Sequence, residues 1–147
     1  MRSRVLLAAA VVAVLGLAPA PLPRNDRHRQ DPTDVAGTWE FVLWETNGSR
    51  SREQERTHRV QMTREKFVFV GEDGGSRGEF VMRLEPTASP PAFTWTRGLD
   101  KVTLVGSYRL RKGEMTMILA LGDRMQDRPT DFSAAPTFKF VLRRVKR

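Results

Sequence analysis

The amino-acid sequence predicts an all-β fold, an eight-stranded antiparallel up-and-down barrel, from three observations. Eight short segments alternate between apolar and polar residues, which is the period of a strand that buries one face. Turn residues separate these segments, and no segment has the period of a long helix. Because closure removes the exposed edges of a sheet, a barrel is the most economical arrangement of such strands.

The length and composition of the chain fit one barrel of this kind. Its 147 residues suffice for a single domain, and 39% hydrophobic and 29% charged residues favour a thin barrel with a solvated outer face. The chain contains no cysteine, which excludes thiol catalysis, zinc–thiolate sites and disulfides.

The first part of the chain, residues 1–20, has the pattern of a signal peptide. Two arginines precede an apolar run over residues 5–17, and residues 18–20 supply the small residues of a cleavage site. The alternative is an uncleaved N-terminal anchor, since Pro21 would follow the cut. We expect export to the periplasm or the outside of the cell, with no stable membrane span after cleavage.

Residues 21–34 are rich in proline and charge and have no periodicity. We therefore expect a flexible lead-in here, followed by the barrel domain over residues 35–147. The net charge of +8, concentrated around residues 50–66 and 143–147, favours an anionic partner. The alternative is an ordinary solvated surface of mixed charge.

The first strand is predicted over residues 34–44, where Gly37 permits close backbone approach and the Trp39 ring fills one barrel end. Strict alternation places on its inner face Trp39, Phe41 and Leu43, and on its outer face Thr38, Glu40, Val42 and Trp44. After a turn at Asn47-Gly48, Ser51 and Gln54 resemble a capping box, which predicts a possible short helix over residues 52–57.

Seven further strands follow, each bounded by a turn signal. They are predicted over residues 58–63, 66–71, 77–84, 93–96, 102–110, 114–121 and 137–145. Their inner positions supply the candidate cavity residues Phe67, Phe69, Phe80, Met82, Phe93, Trp95, Tyr108, Met115 and Met117. These side chains either line a ligand cavity or simply fill the barrel, because eight strands enclose little more than their own side chains.

Parity also predicts a contact that closes the barrel. In the last strand Phe138, Phe140, Leu142 and Arg144 share the inner face. If the first and last strands pair antiparallel, the Arg144 guanidinium lies over the indole of Trp39.

The long loop over residues 122–136 carries three carboxylates at a spacing of four. Asp123, Asp127 and Asp131 suit either a calcium ion or ion pairs with Arg124 and Arg128, but the ligand spacing and glycine of an EF-hand are missing. We favour a structural role, in which Arg128 hydrogen-bonds the loop and Phe132 caps the barrel. The only histidines, His28 and His58, argue against an imidazole metal site, and we predict no metal and no cofactor.

Several of these motifs resemble a known family. Gly37-Thr38-Trp39 with a late inward arginine, Arg144, resembles the signature of calycins, which include lipocalins and fatty-acid-binding proteins. More specifically, the chain is similar to uncharacterised lipocalin-like domains of planctomycete-type bacteria. The matching positions are Gly37 to Glu40; Gly106, Tyr108 and Leu110; and the loop motif Arg128, Pro129, Thr130, Asp131, Phe132 and Ser133. The chain departs from that pattern at Ile118, where many members have a cysteine.

The resemblance implies a lipocalin-like barrel from about Val35 to the C-terminus, and it implies no activity. We therefore expect an exported, non-enzymatic binding protein that holds a small apolar or amphipathic ligand, with no catalytic residues. The alternative is an interaction module that docks on an anionic envelope polymer or a partner protein through Arg143, Lys146 and Arg147. We expect no nucleic-acid partner, because Trp44 is the main aromatic residue predicted on the outer face.

Overall fold

A computed structural model describes residues 31–52, 57–98 and 100–146. The strands, in chain order, are β1 (Gly37–Thr46), β2 (Ser49–Arg50), β3 (Thr57–Met62), β4 (Lys66–Gly71), β5 (Ser76–Glu85), β6 (Ala92–Thr96), β7 (Thr103–Arg111), β8 (Glu114–Leu121) and β9 (Phe138–Arg144). Met125–Asp127 forms a single turn of 3-10 helix.

The sheet closes on itself. Each of the strands from β3 to β8 pairs antiparallel with the next one in sequence, and β1 pairs with both β3 and β9. The two-residue strand β2 only extends the hairpin at the end of β1. Eight strands therefore form a closed up-and-down barrel, and the predicted all-β fold is confirmed, with small shifts at the strand ends.

Two predictions concern residues that lie outside the described part of the chain. The signal peptide and most of the lead-in fall on residues 1–30, and most of the possible short helix falls on residues 53–56. The last lead-in residues, 31–34, are described and form turns that approach one end of the barrel.

A β-bulge in β1 changes the predicted faces of this strand. The register against β9 shifts between Phe41 and Leu43, so one extra residue of β1 is accommodated there. Trp44 consequently pairs with inward-facing Phe140, and the two ring centroids lie 5.1 Å apart. The prediction of Leu43 inside and Trp44 outside is therefore wrong, because strict alternation fails beyond a bulge.

The interior of the barrel is built around Trp95. Its ring centroid lies 4.0 Å from that of Phe67, 5.2 Å from that of Phe93 and 5.4 Å from that of Phe80. Such tilted pairs add to the free energy gained by burying large apolar side chains, which is about 1.5–3 kcal/mol for each. Methionines from β8, Met115 and Met117, complete this packing and are buried.

The loop between β8 and β9 lies on the outside of the barrel wall. The guanidinium carbon of Arg109, an exposed residue of β7, lies 4.8 Å from the centroid of the Phe132 ring. The loop carbonyl of Phe132 also accepts a hydrogen bond of 3.4 Å from Lys139 Nζ on β9. Several outward-facing residues of the wall are buried: Ala92, Val105, Ser107, Thr116 and Ile118. The prediction that Phe132 caps the barrel end is therefore wrong.

The polar residues of this loop hold its own conformation. Arg124 Nε lies 2.8 Å from Asp127 Oδ2, and Arg128 Nη1 donates to the Met125 carbonyl at 3.1 Å. Asp131 accepts hydrogen bonds from the side chain and backbone of Ser133, which lower the pKa of its carboxyl group. These contacts agree with the structural role predicted for Arg128, and Pro129 follows it directly in the loop.

Candidate functional site

One end of the barrel is closed by the segment that precedes β1. Val35 is buried among the core residues, and its carbonyl accepts a 2.9 Å hydrogen bond from the indole nitrogen of Trp39. The hydroxyl of Tyr108, on β7, donates to the carbonyl of Pro32 at 2.6 Å. Side chains of the barrel thus bind the backbone of this segment directly.

Arg144 completes the closed end. Trp39 and Arg144 are register partners on β1 and β9, and the guanidinium carbon lies 4.6 Å from the centre of the indole ring. The guanidinium donates to the carbonyl of Ala36 at 3.2 Å and to that of Asp34. The contact predicted from strand parity is therefore present, with Gly37 adjacent to the guanidinium.

The Tyr108 hydroxyl gives a testable prediction about this closed end. We expect Tyr108→Phe to reduce the free energy of unfolding by about 0.5–1.5 kcal/mol, because one hydrogen bond to the Pro32 carbonyl is lost. Urea unfolding at neutral pH measures this difference. A loss well below this range would show that the hydroxyl does not fasten the segment.

Burial raises the pKa of Tyr108 to about 12, with a smaller contribution from Asp31. In the unfolded chain the phenol ionises near pH 10, so that state releases its proton first as the pH rises. The contribution of the neutral Tyr108 phenol to the free energy of unfolding is therefore complete below about pH 10 and is lost between about pH 10 and 12. Tyr108 is the only tyrosine, so tyrosinate absorbance follows it alone, and a midpoint near 10 in the folded protein would contradict this interpretation.

The opposite end of the barrel contains a cavity of about 250 Å³. Its residues come from the second half of β1, β4, β6 and β8 and from the first half of β5, β7 and β9, which meet at one end of an antiparallel barrel. They are Trp44, Phe69, Gly78, Phe80, Trp95, Leu104, Leu119, Phe138 and Phe140, with Arg77 and Arg97 also lining it. The cavity is apolar apart from its two arginines.

The structure separates the candidate cavity residues into two groups. Phe69, Phe80 and Trp95 line the cavity. The others do not line it and pack deeper in the barrel or beside its closed end: Phe67, Met82, Phe93, Tyr108, Met115 and Met117. The sequence offered two interpretations, a ligand cavity or a barrel filled by its own side chains. The side chains fill the barrel towards its closed end and leave a cavity at the opposite end, so each interpretation describes one part.

Sequence reasoning missed Trp44 and both arginines of the cavity. For Trp44 the sequence does contain a signal. Trp39 and Trp44 are five residues apart, so strict alternation would put the two rings on opposite faces and leave one of them in water. A bulge between them brings both rings inside. Arg77 and Arg97 each lie beside a turn at the end of a strand. Their positions beside a barrel mouth become visible only once the strands are closed.

Each arginine of the cavity is held by a nearby aspartate. Arg77 Nη2 lies 2.9 Å from Asp73 Oδ2, and Arg97 binds both carboxylate oxygens of Asp100. The hydrogen bond from Arg97 lowers the pKa of Asp100 to about 2. These pairs are exposed, so they contribute little to stability. They do orient both guanidinium groups beside the cavity.

Trp95, which lines the cavity, contains an unusual polar group. The ring is 2% exposed, and its indole nitrogen has no hydrogen-bond acceptor among the described residues. A buried donor without a partner costs about 1–3 kcal/mol.

The basic surface predicted from sequence is largely balanced on the barrel wall. The register places Glu40 between Arg59 and Arg143, so both arginines have an acidic cross-strand neighbour. In the same way Glu45 lies between Arg50 and Lys139. Opposite charges in these positions reduce the positive potential that an anionic polymer would meet.

Over the described ranges, no group of three or more histidine, aspartate or glutamate side chains is placed to hold a metal ion. None of the helices in the same ranges is long and apolar enough to cross a membrane. Comparison of the chain with protein-family models, with curated proteins and with solved structures finds no match.

Proposed function

We propose that this chain is an exported, non-enzymatic lipocalin-like protein that binds a small apolar or amphipathic molecule in the cavity at the open end of its barrel. The observation that carries this proposal is the cavity itself, about 250 Å³ bounded mainly by aromatic and leucine side chains. The other end is covered by residues 31–36.

The physical properties of the cavity support this function. Binding pockets for small molecules are typically concave and apolar, with a few polar groups that fix orientation. Here the polar groups are the two guanidinium groups. The pattern of residues 1–20 supports export, and the Gly-Thr-Trp motif with Arg144 supports the lipocalin-like assignment.

The alternative, docking on an anionic polymer or partner protein, has weaker support. The basic residues of β1, β3 and β9 face acidic cross-strand neighbours, which lowers their attraction for a polyanion. Lys146 and Arg147 follow the last strand, and Arg147 lies outside the described residues. We therefore place the function in the cavity.

Octan-1-ol is a suitable first probe of the cavity. Burying about seven methylene groups at about 0.8 kcal/mol each gives about 5–6 kcal/mol, which corresponds to a dissociation constant of about 0.1 mM. Trp44 and Trp95 line the cavity, so we expect their fluorescence to change on saturable binding. Thermal unfolding of the full chain should shift to higher temperature at the same concentrations.

A matched pair of leucine substitutions tests the location of the bound probe. Gly78 lines the cavity, and its added Cβ would lie 3.7 Å from Phe69, so Gly78→Leu fills the space and should abolish octan-1-ol binding. Val81→Leu, on the exposed face of the same strand, should leave binding unchanged. Absence of saturable binding to the unaltered protein would overturn the proposed function, and equal binding by the Gly78→Leu protein would move it elsewhere.

A further inference from the structure

We infer that the ligand is a short-chain amphiphile with an anionic head group, a carboxylate or a phosphate, which lies against Arg77 and Arg97 while the tail enters the apolar cavity. This inference rests on the proposed function and adds the charge and the length of the ligand. Its basis is the placement of two guanidinium groups beside an otherwise apolar space.

Both arginines lie on the same rim of the barrel. Arg97 directly follows β6 and continues the inward parity of Phe93 and Trp95. Arg77 is the extra residue of a bulge in β5, where the register against β4 shifts between Ser76 and Gly78. Bulges re-aim side chains, and this one brings an arginine to the cavity. Since β5 and β6 are neighbouring strands, the two side chains flank one opening.

The ion pairs to the aspartates leave donors for a ligand. Asp73 engages Nη2 of Arg77, and Asp100 engages Nε and Nη2 of Arg97. No hydrogen bond to a described residue uses Nη1 of either side chain. Each guanidinium is therefore oriented beside the cavity with donors available, in the planar geometry that suits carboxylate and phosphate oxygens.

The size of the cavity limits the tail. An apolar cavity of about 150 Å³ in another protein binds benzene, which has six carbons, so about 250 Å³ has room for roughly ten carbons. A tail of roughly six to ten carbons is therefore covered, and methylenes beyond that length remain in water and add little affinity. Octanoate is the probe that matches this length and charge.

The charge inference is tested by comparing octanoate, octan-1-ol and octylamine on the purified full chain at neutral pH. The negative charge of each aspartate partly offsets the positive charge of its arginine, so we expect the two arginines to raise the affinity for octanoate only moderately. The affinity ratio of octanoate to octan-1-ol should fall about tenfold in the double variant Arg77→Met/Arg97→Met, which equals about 1.4 kcal/mol. Octylamine should bind more weakly than either. High salt should reduce octanoate binding and leave octan-1-ol binding unchanged.

Arg124→Met is the matched control. Arg124 pairs with Asp127 three residues along the chain, as Arg97 pairs with Asp100, but it does not line the cavity. The side chains of Arg77, Arg97 and Arg124 are all exposed, so both variants should fold like the unaltered protein, and circular dichroism checks this independently of binding.

The outcomes separate the two proposals. If octan-1-ol binds but the affinity ratio in the double variant equals that of the control, the charge inference is wrong and the cavity remains the binding site. If octanoate affinity continues to rise steeply with chain lengths beyond ten carbons, the size limit is wrong. If no probe binds, both proposals fail. An octyl phosphate that binds more tightly than octanoate would identify phosphate as the preferred head group.

Discussion

Trp39→Ala should lower the free energy of unfolding by about 3–5 kcal/mol, the usual cost of truncating a fully buried tryptophan. Trp39 is completely buried, donates to the Val35 carbonyl and lies beneath the guanidinium of Arg144. Alanine would leave a void at the closed end and release the segment that covers it. Because whole domains are stable by only about 5–15 kcal/mol, much of the protein should unfold at moderate temperature.

Denaturant unfolding monitored by circular dichroism measures this loss, and Val42→Ala provides the control. Val42 lies on the same strand with an exposed side chain, so its truncation should cost little.

Arg144→Met should lower the free energy of unfolding by about 1–3 kcal/mol, because a charged donor to two backbone carbonyls disappears. A double-mutant cycle between Trp39 and Arg144 should show coupling of about 0.5–1 kcal/mol. Unchanged stability of the Arg144→Met protein would show that Arg144 does not contribute to closing the barrel.

Gly106→Ala should destabilise the protein by about 1–3 kcal/mol, through overpacking of the barrel interior. An added Cβ on this β7 residue would lie 2.6 and 2.9 Å from atoms of the Phe93 ring and would also meet the Ile118 carbonyl oxygen. Phe93 is fully buried against Trp95, so it has little room to move. Because Gly106 has no side chain, the Phe93 ring can occupy the space beside it.

Gly78→Ala is the matched comparison for this effect. Its added Cβ would lie 3.7 Å from Phe69, an ordinary contact, and its backbone is not in the left-handed region. We expect a neutral or slightly stabilising change of up to about 1 kcal/mol, since alanine reduces the freedom of the unfolded chain. Equal losses in Gly106→Ala and Gly78→Ala would show that strand propensity, and not contact with Phe93, governs position 106.

Much of this fold could be predicted from sequence because period-two patterning acts on each strand independently. The contact between Trp39 and Arg144 needed only two further assumptions, namely parity in β9 and antiparallel pairing of the first and last strands. Both are local or topological rules, and neither depends on side-chain volumes. For this reason the closed end of the barrel was the better predicted end.

The remaining features depend on three-dimensional fit. One extra residue near Val42 reverses the inward face of β1, and no periodic signal marks its position. Phe132 is an apolar residue in a polar loop, which indicates burial somewhere but not that it packs on Arg109 outside the barrel. The cavity arises because rings such as Phe69 and Phe80 do not fill this end of the barrel, which depends on their combined volumes.

The three tryptophans provide the most direct test of the central claim that the open end of the barrel binds a small amphiphile. Trp44 and Trp95 line the cavity, whereas Trp39 belongs to the closed end. In NMR spectra of the full chain, added octan-1-ol should shift the indole N–H signals of Trp44 and Trp95 and leave that of Trp39 in place. Three unmoved signals, or a shift confined to Trp39, would contradict the claim.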